Sequence, residues 1–236
     1  MSIYDQTSHQ KGQIEVIDAI ENQVKNNNLP FSIVSPVADF DNDSRICLTS
    51  VHLLRSQLIS QVNNLLIEPL KKIQSNQYYY VNESFHTTIK NVKTISDPPN
   101  FTEKDIQTVN KIFSETIPKH HKFSVYFYRL LLFPNNLALM GTTDEELDQI
   151  IFDLDERFRK VGIADDKQYL NSKYFFSNIT LARFVSPVSD QFRKKVINLS
   201  ANIADMFKPY TVDSVTLLSC NAVFKKRRII GRWLLR

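Results

Sequence analysis

Two short stretches of one pattern, set in the two halves of the chain, limit what this sequence can fold into. The first is Ser84-Phe85-His86-Thr87-Thr88-Ile89-Lys90; the second is Ser177-Asn178-Ile179-Thr180-Leu181-Ala182-Arg183-Phe184. Side chains along a strand alternate between its faces, so i and i+2 share one. Read this way, the first stretch puts Phe85, Thr87 and Ile89 on one face and His86, Thr88 and Lys90 on the other. The second puts Ile179 and Leu181 on one face and Asn178, Thr180 and Ala182 on the other. Each apolar face can pack under helices. The two polar faces then line one cleft.

The residue types on those polar faces suit a phosphodiester. An imidazole gives or takes a proton near neutral pH. A hydroxyl two residues along can donate to a phosphate oxygen. The second stretch carries Asn178 where the first carries His86. A carboxamide can hold a phosphate oxygen, but it has no titratable proton in this range. A lone His-x-Thr is also compatible with an ordinary strand histidine, and the weight lies in the pairing. Arg183 has opposite parity to Thr180 and is expected at the strand surface or behind the phosphate, unless the strand twists.

The stretches resemble the two signature strands of the 2H phosphoesterase superfamily, which includes 2′,3′-cyclic phosphodiesterases and 2′-5′ RNA ligase-like proteins. Its pattern is His-x-Thr/Ser twice, the second copy often followed by Leu-x-Arg, as at Thr180-Leu181-Ala182-Arg183. The resemblance covers residues 44–236. It implies an α+β, bilobal fold: two pseudo-symmetric antiparallel-sheet lobes, with outer helices, around a central cleft. It also implies two histidines as general base and general acid, two hydroxyls on the phosphate, and no cofactor. His86, Thr88 and Thr180 match as catalytic residues. Asn178 departs from the pattern and leaves the site one proton-transfer group short.

The rest of the chain is ordered as such a fold requires. A length of 236 residues, 42% hydrophobic and 23% charged, suits one globular body. Residues 1–43 read as an N-terminal extension with a short helix at 14–24, an irregular extended segment at 31–40 and a turn at 41–44. Residues 45–51 read as a strand and 53–73 as an amphipathic helix that Pro69 should kink. Helices are expected at 102–116, at 143–161 with Thr143 as N-cap and Gly162 beyond the end, and at 190–206. Strands are expected at 122–133, 137–140, 212–218 and 228–235. Pro134-Asn135-Asn136 makes a hairpin of the first two, and the resemblance implies that this hairpin helps wall the cleft, so Tyr126 and Tyr128 are candidates to stack a base, or are core aromatics. Lys226 and Arg227, in the run Lys225-Lys226-Arg227-Arg228, are candidates for a polyanion's backbone, or form a solvated turn. His52 either makes a local hydrogen bond or stands in for the missing histidine.

Several classes are excluded or disfavoured. Only 4 glycines are present, which rules out Gly-rich phosphate loops. No metal-ligand spacing occurs. Cys47 and Cys220 read as buried thiols in a reducing compartment, and no run is apolar enough to cross a membrane. The net charge of +4 favours an anionic partner only mildly. The sequence therefore points to a cytoplasmic protein with RNA or a nucleotide phosphodiester as its partner. Three functions fit: a weakened phosphoesterase, a binding protein that has lost the chemistry, or a protein-interaction module on the same fold.

Overall fold

The computed structural model describes residues 6–28, 34–163, 166–167 and 169–236. In chain order the elements are α1 (Ser8–Lys25), β1 (Ile46–Leu53), α2 (Ser56–Val62), a π-helical turn (Asn63–Ile67), α3 (Glu68–Lys71), β2 (Tyr78–Tyr79) and β3 (His86–Ser96). Then come α4 (Glu103–Thr116), β4 (Phe123–Leu132), β5 (Asn136–Thr143), α5 (Glu146–Lys160) and β6 (Ser177–Arg183). The chain closes with α6 (Asp190–Ser200), α7 (Ile203–Met206), β7 (Tyr210–Val212), β8 (Ser214–Cys220) and β9 (Arg227–Leu234). The strands form two antiparallel sheets, ordered β3-β1-β8-β9 and β2-β6-β5-β4-β7. This is the α+β, two-lobed architecture expected from the sequence.

The lobes meet along the two motif strands. β3 and β6 lie against each other, and the buried hydroxyls of Thr87 and Ser177 hydrogen-bond across the seam. Phe85, Ile89, Ile179 and Leu181 are buried in one continuous core with the apolar faces of α4, α5 and α6. α4 packs on β9 and α5, while α6 and α7 pack on β4.

Local chemistry explains where elements begin and end. α1 starts earlier than periodicity predicts, because Thr7 and Gln10 form a reciprocal cap on its first turn. Thr102 and Asp105 cap α4 in the same way. Pro69 does not break its helix; the π turn precedes it and α3 restarts with the proline in its first turn, where no N–H is needed. Thr143 is not a cap. It remains in β5, and its Oγ1 accepts from Gln13 Nε2 at 2.7 Å. α5 ends as expected on Gly162 at φ +75°, with Gly162 N–H bonded to Arg159 O and Ile163 N–H to Phe158 O. The helix expected over 190–206 breaks at Ala201-Asn202 into α6 and α7. Residues 31–33 of the expected extended segment lie outside the described residues.

Candidate active site

Each motif strand carries a register shift immediately after its threonine. In β3, Val51 pairs with Thr88 and Ser50 with Lys90, so Ile89 is an extra residue. In β6, Ala138 pairs with Thr180 and Leu137 with Ala182, so Leu181 is extra. A bulge of this kind inverts the alternation beyond it. The polar face of β3 is therefore His86, Thr88 and Asn91, and that of β6 is Asn178, Thr180 and Arg183. Lys90 and Ala182, expected on those faces, turn away. The Lys90 ammonium instead pairs with Asp155 of α5 at 2.8 Å. The bulge, rather than strand twist, brings Arg183 to the cleft.

These six residues line one cavity of about 400 Å³ between the lobes, together with Arg45, Cys47, Tyr80 and Phe224. The structure thus brings together His86, Thr88, Asn178, Thr180 and Arg183. The guanidinium of Arg183 is buried between the rings of Phe40 and Tyr80 and donates to Tyr80 Oη (3.1 Å) and Ala222 O (3.3 Å). Its orientation is fixed before any ligand arrives.

His86 is held in one tautomer. Its Nδ1–H donates to the carbonyl of Ser84 at 2.7 Å. A carbonyl can only accept, so Nδ1 carries the proton and Nε2 keeps a lone pair for the cavity. The ring of Phe224 stacks on the imidazole with centroids 3.7 Å apart. Phe224 reaches this position with a left-handed backbone, φ +62°, at the tip of the β8–β9 turn. Burial pushes the His86 pKa down to about 4, opposed by the Ser84 carbonyl and helped by the positive charges of Arg183 and Arg227. At neutral pH the imidazole is uncharged and able to accept a proton.

Other sequence candidates are placed elsewhere. His52 lies opposite Thr87, on the face turned from the cleft. Its Nδ1–H donates to Ser214 O (2.9 Å) and its Nε2 accepts from Tyr210 Oη (2.8 Å), so it does not replace the missing histidine. Neither Tyr126 nor Tyr128 lines the cavity. Tyr126 Oη donates to Asp144 at 3.3 Å, and Tyr128 is the extra residue of a bulge in β4 and packs with α1. Lys226 sits in the β8–β9 turn and donates to the carbonyl of Asn42, and Arg227 opens β9 and donates to the carbonyls of Glu83 and Phe224. Cys47, expected as a buried thiol, is half-buried, lines the cavity and has its Sγ 3.5 Å from that of Cys220 across β1–β8.

Among the described residues no group of three or more His, Cys, Asp or Glu side chains is placed to hold a metal ion. No described helix is long and apolar enough to cross a membrane.

The chain matches no protein-family model, and no curated protein matches it. Its fold is similar to that of solved structures. A conserved protein of unknown function, ATU0111 from Agrobacterium tumefaciens, superposes with a TM-score of 0.57 at 13% identity, over 92% of this chain and 98% of that one. TT0787 of Thermus thermophilus gives 0.51 at 12% identity, over 81% and 98%. A structure described as a phosphoesterase gives 0.50 at 15% identity, over 81% and 99%. At these identities the likeness shows the fold alone, a two-lobed α+β one.

Proposed function

We propose that this protein acts on a nucleotide phosphodiester, with 2′,3′-cyclic phosphates as its best substrates and a slow rate set by the missing second histidine. The observation that supports it most is His86: an imidazole with its Nδ1 proton committed to Ser84 and its Nε2 lone pair left to a cavity that also holds Thr88, Thr180 and Arg183.

The chemistry follows from those groups. Thr88, Thr180, the Asn178 amide and the Arg183 guanidinium donate to the phosphate oxygens and stabilise the charge that builds there. A water attacks phosphorus, and His86 Nε2 takes its proton. The bond from phosphorus to one ribose oxygen breaks. Across the cleft from His86 stands Asn178, which has no proton to give at the required pKa. The leaving oxygen must then draw its proton from water. Loss of one positioned acid–base group costs ~10²–10⁴-fold in rate. Ring strain helps a cyclic phosphate to open despite this loss; an unstrained linkage lacks that help.

A second reading is binding of a nucleotide phosphate without turnover. Asn178 favours it, and so does a base whose pKa is pushed down to about 4, since a weakly basic imidazole accepts a proton less readily. Hydrolysis of the four nucleoside 2′,3′-cyclic phosphates separates the readings. Turnover that disappears in His86→Ala supports the first. Saturable binding with no turnover supports the second, and turnover indifferent to His86→Ala overturns the first.

A further inference from the structure

The inner face of the β4–β5–β6 sheet does not continue as an open groove beyond the phosphate site. By register, Met140 shares the face of Asn178, and Ala138 that of Thr180. Both are buried with Leu131 beneath Ile17 and Ile20 of α1. The helix lies across the surface that a nucleic-acid strand leaving His86 toward β5 and β4 would follow.

α1 is fastened there by polar contacts as well as apolar ones. The fully buried Gln13 donates from Nε2 to Thr143 Oγ1 (2.7 Å) and Phe175 O (2.5 Å), and its Oε1 accepts from Thr143 N–H (2.8 Å). His9 pairs with Asp148 of α5. Arg129 of β4 binds Asp18 and, at 2.7 Å, Glu21. Gly12 leaves room for the ring of Tyr174, whose atoms would lie 2.6 Å from a Cβ built at that position.

Beside the helix a second chamber of about 250 Å³ opens from the phosphate site, sharing Thr88, Asn178, Thr180 and Arg183 with it. Ile20 forms part of its wall. Phe133, Tyr169 and Phe175 give it aromatic surface, the Lys90 and Lys167 ammoniums lie 5.3 and 5.2 Å from the centre of the Tyr169 ring, and Asn136 and Asn171 supply amide donors and acceptors. Aromatic faces with a few amides are what a nucleobase takes up.

Resting on the phosphodiester reading above, we infer that α1 limits the substrate to one with a single nucleoside beyond the reacting phosphate on this side. The ester at His86 is then a chain end or a mononucleotide, never an internal linkage of a longer RNA, and Ile20 is a residue that sets this specificity.

The test uses the whole protein and follows the His86 ring proton by NMR while adding inorganic phosphate, adenosine 3′-monophosphate, or a circular ten-nucleotide RNA, in which every linkage is internal. Phosphate and the mononucleotide are expected to move the His86 signal, the mononucleotide with at least tenfold higher affinity, and the internal linkages to leave it unmoved. In Ile20→Trp the tenfold advantage should collapse while phosphate still moves the signal. Tyr169→Ala, on the opposite wall, serves if the tryptophan disturbs folding, and the same loss is expected. A circular RNA that moves His86 as strongly as the mononucleotide overturns the inference. So does an advantage unchanged in both variants. If phosphate and every nucleotide leave His86 unmoved, the phosphodiester reading fails and takes this inference with it.

Discussion

His86 is the base in the proposed reaction, and its surroundings make a signed prediction about pH. The free imidazole titrates near 6.5 and the folded one at about 4. Between those values the unfolded chain binds a proton that the folded chain does not. Stability supplied by the neutral, buried ring is therefore full above about pH 6.5 and is lost as pH falls toward 4. The loss is about 3 kcal/mol for this one group. His52 is also depressed by burial and adds to the loss with the same sign. Urea midpoints measured from pH 7 to pH 4 should fall steeply for the natural chain and less steeply for His86→Gln; parallel curves would contradict the placement of His86. Phe224 supplies much of the burial through its stacked ring. Phe224→Ala is expected to raise the His86 midpoint from about 4 toward 6.5, read directly in an NMR titration.

At the scale of elements, the two bulges and α1 decide what the cleft contains. Gln13 satisfies the buried Thr143 N–H and two further partners from within α1. Gln13→Ala leaves that N–H without its acceptor, which should cost roughly 1–3 kcal/mol. The loss should appear as a melting temperature lower by several degrees, and a melting curve that does not move would show that α1 is not fastened there. The bulges also explain what was legible in advance. Strand alternation correctly paired His86 with Thr88 and Asn178 with Thr180, because those pairs precede the extra residues. It misassigned Lys90 and Ala182 and obscured Arg183, because those follow them. A trace of the shift is present in the sequence. Buried apolar residues run 179, 181, 182 in β6 and 184 just beyond it, with two neighbours in succession where simple alternation allows one. In β3 the spacing changes from Ile89 to Val92. Phe224 could not have been found this way: its place depends on a turn between β8 and β9 that no local periodicity encodes. Nor could the covering of β5 by α1, which joins segments far apart in the chain.

For the molecule as a whole, two lobes meet on β3 and β6, and the proposed phosphate site is the cavity where their polar faces converge. The two-lobed fold is legible in the sequence through the resemblance that the paired strand motifs carry, and function still depends on which side chains stand at the equivalent positions. One half presents His86 and Thr88, the other Asn178 and Thr180. The extension before β1 adds a wall that the paired motifs do not foretell. The account stands on the claim that Asn178 occupies the place of a proton donor opposite His86 on one phosphate. The measurement that tests it most directly is kcat for hydrolysis of nucleoside 2′,3′-cyclic phosphates by the natural chain, Asn178→His, and Asn178→His with His86→Ala. The account predicts that Asn178→His raises kcat by ~10²-fold or more and that the added His86→Ala change removes the gain. A folded Asn178→His variant that binds the substrate with no gain in kcat would contradict the placement of Asn178 and His86 around one phosphate.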